Sequence, residues 1–544
     1  MGGVTLGRTA VYGEPYERTG RWSERSTFDG AHTDGVIRVG VDVGGTNTDA
    51  VVMDGTRVVA WAKTTTTPDA TSGLVAAVRE ALANSGVAPG AVRAVMVGTT
   101  RFTNAIVERR GLAPTAVVRL GLPATLSVPP LTDWPADLRS AIAARTYVIK
   151  GGHEFDGREI SALDETDLRR IGRRIREDGH RAVAIVGVFS PVMDRHERRA
   201  EAILCQADPG VACSLSHEVG RLGLLERENA TVLNACLSDL AARTIDGLIA
   251  GLRELRLPAP LYLTQNDGTL MAADDARRYP VRTFSSGPTN SMRGAAFLSG
   301  LRDGIVIDVG GTTTDVGAIV RGFPREAGVA VHVGGVRTNF RMPDVLSIGL
   351  GGGSHVEAGA VGPRSVGYRL EREARVFGGA TLTASDVAVA AGRAAMGDAA
   401  RVRDLGRDLV ARALSRIDAM ANEAIDRVRT SADPVPVIAV GGGSVLLPPA
   451  LPVASRIVRP EHYEVANAVG AAIAEVSGEV DRVFMLAEGR DAVLARAKAE
   501  AAQRAVDAGA DGERVEIAEV DEVPLTYLPS NSARVRVKAI GPLR

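Results

Sequence analysis

From Val36 onward, short apolar runs alternate with amphipathic stretches. The runs VIRVGVDV (36–43), DAVVMDG (49–55) and TRVVAWAKT (56–64) are β-rich and predict a meander, with a Gly-Gly-Thr turn between its first two strands. GLVAAVREALANSG (73–86) repeats its apolar positions with the 3.6-residue period of a helix. AVRAVMVGTT (91–100) predicts a buried strand running into a loop, followed by the helix TNAIVERRG (103–111). TAVVRLG (115–121), the helix over 164–179 and RAVAIVGVFS (181–190) continue the alternation, which argues for an α/β lobe of mixed strand order.

Beyond residue 213 the spacing predicts one long helical segment over 228–255, then a strand at APLYLTQNDG (259–268). A second lobe begins near Ile305, with a Gly-rich span through SIGLGGGSHV (347–356) and a helical stretch near 400–430. PVPVIAVGGGSVLLP (434–448) predicts a strand and turn, and EVANAVGAAIAEVSG (464–478) a helix. The expected organisation is an extension at 1–35, an N-terminal lobe at 36–213, a C-terminal lobe at 214–480 and a small α+β unit at 481–544.

One motif occurs twice, as VGVDVGGTNTD (39–49) and VIDVGGTTTDVG (306–317). In each copy an apolar strand ends in Asp, turns through Gly-Gly-Thr and reaches a second Asp. Such a turn presents N–H groups and hydroxyls to a phosphate. Its carboxylate stands where a phosphate-bound Mg²⁺ would sit. Two copies suggest two related lobes that close on one nucleotide.

Composition adds mainly exclusions. A 544-residue chain exceeds one core and implies several domains. The net charge of −1 gives no reason to expect a nucleic-acid partner. No run of about 20 apolar residues marks a membrane span. The first 30 residues lack the apolar stretch of a signal peptide, so a cytoplasmic location is expected. Cys205, Cys213 and Cys236 lack paired spacing and read as reduced thiols. The eight histidines show no His-x-x-x-His spacing, so a transition metal is not expected.

The order of the doubled turn, VIAVGGGS (437–444) and EVANAVGAAIA (464–474) resembles the actin, sugar-kinase and heat-shock-chaperone ATPase fold. In that fold a glycine-rich strand end lies against adenosine, and small residues let two connecting helices cross closely. The intervening segments are similar to those of the hydantoinase/oxoprolinase family, the hydantoin-utilisation A subunits. They are VGTTRFTNAIVERRG (97–111), GGHEFDGREI (151–160), VFSPVMDRHE (188–197), SHEVGRLGLLERENATVLNA (216–235) and SSGPTNSMRGAA (285–296). The chain departs from the family pattern at Val97, where many members carry His, and at Gln265-Asn266-Asp267-Gly268.

The resemblance implies two ribonuclease-H-like ATPase lobes around a nucleotide cleft. It also implies ATP and Mg²⁺ used to activate a cyclic amide or related carbonyl, a B-type partner subunit and an oligomer. Asp42 and Asp308 are the candidate metal ligands. Gly44, Gly45, Thr46, Gly310, Gly311, Thr312 and Thr313 are expected to serve the phosphates, and Gly441, Gly442 and Gly443 the adenosine. Asp49 and Asp315 would either orient a nucleophile or cap their own turns. The block Gly98, Thr99 and Thr100, with Asn104 opening a helix, is either a carbonyl or anion site or a plain helix start capped by Thr103 or Asn104. His153, Glu154 and Asp156 are either substrate-side groups or a salt-linked turn with Arg158, and His217, Glu218, Glu228 and Asn229 could add cleft contacts. A carboxylase subunit, a small-molecule kinase and a nucleotide-gated activator ATPase remain open on the same framework.

Overall fold

The computed structural model describes residues 35–66, 70–327, 331–340, 342–486, 489–525 and 532–544. Residues 1–34 of the expected N-terminal extension lie outside them. The meander forms as its alternation predicts. Strand Ile37–Val43 pairs antiparallel with Asn47–Asp54, which pairs with Arg57–Thr65. On its other side Ile37–Val43 runs parallel to Val92–Thr99. Val39, Val41, Ala50 and Val52 join one buried core with Leu74 and Val78 of helix Ala70–Ser85.

That sheet does not end within the N-terminal lobe. Leu261–Thr264, Leu270–Ala272, Val476–Met485, Ser532–Gly541 and Glu516–Pro524 continue it to nine strands. The segment 481–544 therefore has its expected helix, Arg490–Asp507, but its strands extend the sheet that carries the first signature turn. Asp267 holds this junction. Its carboxylate accepts from Thr269 N (3.0 Å), Thr269 Oγ1 (2.7 Å) and Lys538 Nζ (2.6 Å), and although burial opposes it, the Lys538 charge draws its pKa down to about 2.

The second signature repeats the first. Gly304–Val309 pairs antiparallel with Thr314–Val320 and parallel with Val435–Val440, inside a six-stranded sheet. A third, four-stranded sheet is wholly parallel, ordered Arg145–Lys150, Thr115–Leu122, Ala182–Gly187, Ala212–Leu215. The long helical segment expected over 228–255 is two helices, Leu224–Cys236 and Ser238–Glu254, separated at Leu237. The three cysteines are free thiols. No helix among the described residues is long and apolar enough to cross a membrane.

Helices Ser286–Ser299 and Ala466–Ala472 cross between the lobes. Small residues make the approach possible, since a Cβ at Gly294 would lie 1.8 Å from Ala466 O and one at Gly470 would lie 1.9 Å from Asn290 O. Gly40 repeats the device from the sheet side, where a Cβ would lie 2.2 Å from Ala468 O. The helix expected over 464–478 ends earlier, at Ala472, and its last residues enter the strand that begins at Val476.

Gly294→Ala should therefore lower stability by about 1–3 kcal/mol despite alanine's better helix propensity. Gly90→Ala, where a Cβ meets nothing within 4 Å, should stay within about 0.5 kcal/mol. Thermal unfolding of the two variants checks the difference.

Candidate functional site

The two signature turns meet face to face. Asp42 is the register partner of Asp49, and Asp308 of Asp315. Each turn closes on itself in the same way, with Gly44 N donating to Asn47 O (3.1 Å) and Gly310 N to Thr313 O (2.9 Å). Those two glycine amides are used within their own turns. Among the described residues, the Gly45, Thr46, Gly311 and Thr312 amides donate to no acceptor. Thr46 Oγ1 lies 3.4 Å from Thr312 Oγ1, so hydroxyls from the two lobes touch across the cleft.

The triple glycine packs closely against the second turn. A Cβ at Gly441 would lie 2.2 Å from Asp308 Oδ1, and one at Gly443 would lie 2.7 Å from Gly310 O. Their missing side chains make room for the second turn, while Gly442 alone faces open space. Gly98 occupies the equivalent place in the first lobe, where a Cβ would lie 2.5 Å from Asp42 Oδ1.

The crossing helices supply the donors that hold the two aspartates. Asn467 Nδ2 donates to Asp42 Oδ2 (3.0 Å), and Ser291 Oγ to Asp308 Oδ2 (2.6 Å). Asp42 Oδ1 is buried with no hydrogen-bond partner. Burial, then the charges of Asp49 and Asp308, push the Asp42 pKa up to about 7. Burial pushes Asp308 up to about 6, with the Ser291 bond opposing it, and also raises Asp315. Neither second aspartate caps its turn. Asp49 pairs with Lys63 Nζ (2.5 Å), and Asp315 accepts from Ser347 Oγ. Asn467, Ser291, Lys63 and Ser347 were not among the expected site residues.

Thr99 is buried beside this centre, and its Oγ1 accepts from Arg101 N (3.2 Å). The helix there is Arg101–Glu108 with Thr100 at its N-cap, so neither Thr103 nor Asn104 caps it. Asn104 lies one turn in, its Nδ2 donating to Thr100 Oγ1 (3.4 Å). A Cβ at Gly287, in the first turn of helix Ser286–Ser299, would lie 3.5 Å from Thr100 Cγ2 and 4.0 Å from Asp42 Oδ1. Two helix N-termini thus open beside Asp42.

His153, Glu154 and Asp156 stand elsewhere, beyond the carboxyl ends of the four-stranded sheet, and none acts on Asp42 or Asp308. Asp156 accepts from Arg158 N (3.1 Å) and Nε (2.7 Å), which is the salt-linked turn. His153 stacks on His196 at 4.3 Å, with Glu159 Oε1 3.3 Å from His196 Nε2. These three residues are spaced for a metal, but Gly152 N donates to His196 Nδ1 (3.0 Å). The neutral ring must then carry its proton on Nε2, the atom a metal would need. Burial first, and the neighbouring charges of His196 and Arg195 next, lower the His153 pKa to about 4. Glu228 forms a buried bidentate pair with Arg119 (2.7 Å each), and Asn229 accepts from Trp134 Nε1 (2.6 Å), so both are structural. His217 donates Nδ1–H to the buried Glu197 (2.6 Å), and Glu218 pairs with Arg278 (2.8 Å).

Comparison with known proteins agrees with this architecture. The hydantoinase/oxoprolinase N-terminal region matches residues 38–207, and the hydantoinase/oxoprolinase domain matches residues 227–428. The chain is 30% identical to the caprolactamase subunit alpha of Pseudomonas jessenii over 66% of its own length and 55% of the relative's. It is 26% identical to the acetophenone carboxylase gamma subunit of Aromatoleum aromaticum, over 66% of this chain and 53% of that one. The chain thus spans about half the length of these curated relatives. The crystal structure of the ATP-dependent caprolactamase from Pseudomonas jessenii superposes with a TM-score of 0.71 at 22% identity, covering 93% of this chain and 88% of that one. The nucleotide-free acetone carboxylase superposes with a TM-score of 0.69 at 17% identity, covering 94% and 88%. The fold is a two-lobed α/β arrangement shared with these two enzymes, and the chain belongs to the hydantoinase/oxoprolinase family.

Proposed function

We propose that this chain is the ATP-using subunit of an enzyme that opens a cyclic amide, such as a hydantoin, 5-oxoproline or a related lactam, together with a B-type partner subunit. The observation that carries this reading is the uncompensated negative charge between the duplicated turns. Asp42 and Asp308 converge there with raised pKa values, and Asp42 Oδ1 has no partner. A hard divalent cation takes oxygen ligands and keeps several waters, so the donor set fits Mg²⁺ held by Asp42 and Asp308. Bound there, Mg²⁺ would neutralise phosphate charge and polarise the γ-phosphoryl group.

The chain's own groups then have distinct tasks. The Gly45, Thr46, Gly311 and Thr312 amides and the two threonine hydroxyls are positioned to receive phosphate oxygens. Gly442 leaves open backbone on the adenosine side. Thr99, Thr100 and the two helix N-termini beside Asp42 suit the carbonyl that accepts phosphate. A lactam carbonyl is resonance-stabilised, and its oxygen leaves poorly until phosphorylated. Its attack on Pγ forms one O–P bond as ADP leaves, and the amide proton is lost. Water then adds at carbon, the C–N bond opens to an acyl phosphate and an amine, and a second water releases phosphate and leaves the carboxylate. The caprolactamase and 5-oxoprolinase relatives support ring opening, and the carboxylase relatives keep ketone carboxylation as the alternative.

Purified chain with Mg²⁺, ATP and a panel of lactams, with and without its partner subunit, should release phosphate only when a lactam is present. Asp42→Ala and Asp308→Ala should each lower that rate by about 100-fold or more. Phosphate release that depends on bicarbonate and a ketone, with no ring-opened product, would move the assignment to carboxylation.

A second expectation concerns pH without nucleotide. A carboxylate whose folded pKa is raised carries most stability below its unfolded pKa near 3.8 and loses it as pH climbs to about 7. Asp42→Asn removes that loss. Its stabilising effect should grow by about 2–3 kcal/mol between about pH 5 and about pH 8.5. Denaturation curves at the two pH values measure it, and a difference independent of pH contradicts the raised pKa.

A further inference from the structure

The two signature hairpins share one register, and the strand beside each differs at the position that faces the second aspartate. Opposite Asp49 in the ladder stands Lys63 of strand Arg57–Thr65, whereas opposite Asp315 stands Ser347 of strand Val345–Ile348. Both side chains bond the second aspartate of their lobe, but only the first is a cation. Among the described residues, no other Lys or Arg is ion-paired to Asp42, Asp49, Asp308 or Asp315. Lys63 also acts across the cleft, where its charge lowers the pKa of Asp308. Its own side chain is 27% exposed, while that of Asp49 is 4% exposed. The ammonium therefore sits at the open edge of the acidic centre, within electrostatic reach of both lobes.

A lone counter-ion for a buried aspartate would be one use of such a lysine. The asymmetry argues for another. Asp315 meets the same requirement with a serine hydroxyl, so the architecture does not need an ammonium to hold its second aspartate. A lysine has a flexible four-carbon stem and three rotatable donors, which lets it exchange one anion for another. Polyphosphate entering a centre of four carboxylates meets strong repulsion, and a cation on the protein opposes it.

We propose that Lys63 is a catalytic residue of this cleft, releasing Asp49 to contact the terminal phosphate of the nucleotide and stabilise the charge of the transferring phosphoryl group. The assignment rests on the ATP-using reading above. During transfer one acceptor O–P bond forms as the Pβ–O–Pγ bridge breaks and ADP leaves. Lys63 supplies charge and hydrogen bonds, and neither gives nor takes a proton. Asp49 is the positioning residue that holds the ammonium before nucleotide arrives.

The test compares wild type, Asp49→Asn, Lys63→Met and the double variant Asp49→Asn/Lys63→Met, with MgADP and a non-hydrolysable Mg–ATP analogue as calorimetric ligands. Lys63→Met alone leaves Asp49 buried and unpaired and is expected to melt lower. The double variant removes that charge and should regain most of the lost melting temperature. Asp49→Asn should keep the wild-type preference for the triphosphate over the diphosphate. Both Lys63→Met variants should lose that preference by about 10-fold while MgADP affinity changes less than about 3-fold. Phosphate release should fall by about 100-fold or more in the double variant. An unchanged affinity ratio in the well-folded double variant would reduce Lys63 to a counter-ion and overturn the proposal. Triphosphate preference in wild type without any lactam-stimulated turnover would sink ring opening, and the Lys63 assignment would still be decided by the affinity ratio.

Discussion

The arrangement depends on holding two carboxylates of like charge in one seam between lobes. Asp42 is 5% exposed, and burial with the charges of Asp49 and Asp308 presses it to stay neutral, while burial and the charges of Asp315 and Asp49 press Asp308 the same way. Single hydrogen bonds from the crossing helices relieve part of this, from Asn467 to one aspartate and from Ser291 to the other. Those donors reach the seam only because Gly294 and Gly470 let the helices touch. The close crossing, the duplicated turns and the unpartnered Oδ1 of Asp42 are thus parts of one electrostatic device.

The same duplication explains why the glycines are where they are. Gly98 is the last residue but one of the parallel strand beside the first signature strand, Gly441 directly follows the one beside the second, and each leaves a space that a carboxylate fills. In this chain Gly441 and Gly443 of the triple glycine make room for Asp308 and the second turn. Lys63 and Ser347 then mark where the lobes cease to be equivalent, giving the cleft one cationic edge.

The local pattern of the sequence was enough for the elements, the doubled turn and the small-residue helix. Alternation of apolar residues marks a strand but not its partner, so nothing in 514–525 or 533–540 announced that these strands join the sheet of Ile37–Val43. The helix break at Leu237 was equally hidden, because apolar spacing continues through it. Asp42 and Asp308 were legible because each ends an apolar run at a glycine turn. Asn467, Ser291 and Lys63 were not, since each acts through a contact distant in sequence. Lys63 had a trace, as the residue that an antiparallel register places opposite Asp49. His153, Glu154 and Asp156 looked functional as a polar cluster after two glycines, yet local bonds of Asp156 to Arg158 and of Gly152 to His196 account for much of that cluster.

The most direct measurement is a crystal structure with a non-hydrolysable ATP analogue and Mn²⁺ in place of Mg²⁺, so that anomalous scattering locates the metal. The account predicts one metal between the two signature turns, ligated directly or through water by Asp42 and Asp308, with phosphates on the Gly45–Thr46 and Gly311–Thr312 amides. A nucleotide held by one lobe alone, or a metal away from both aspartates, would contradict it.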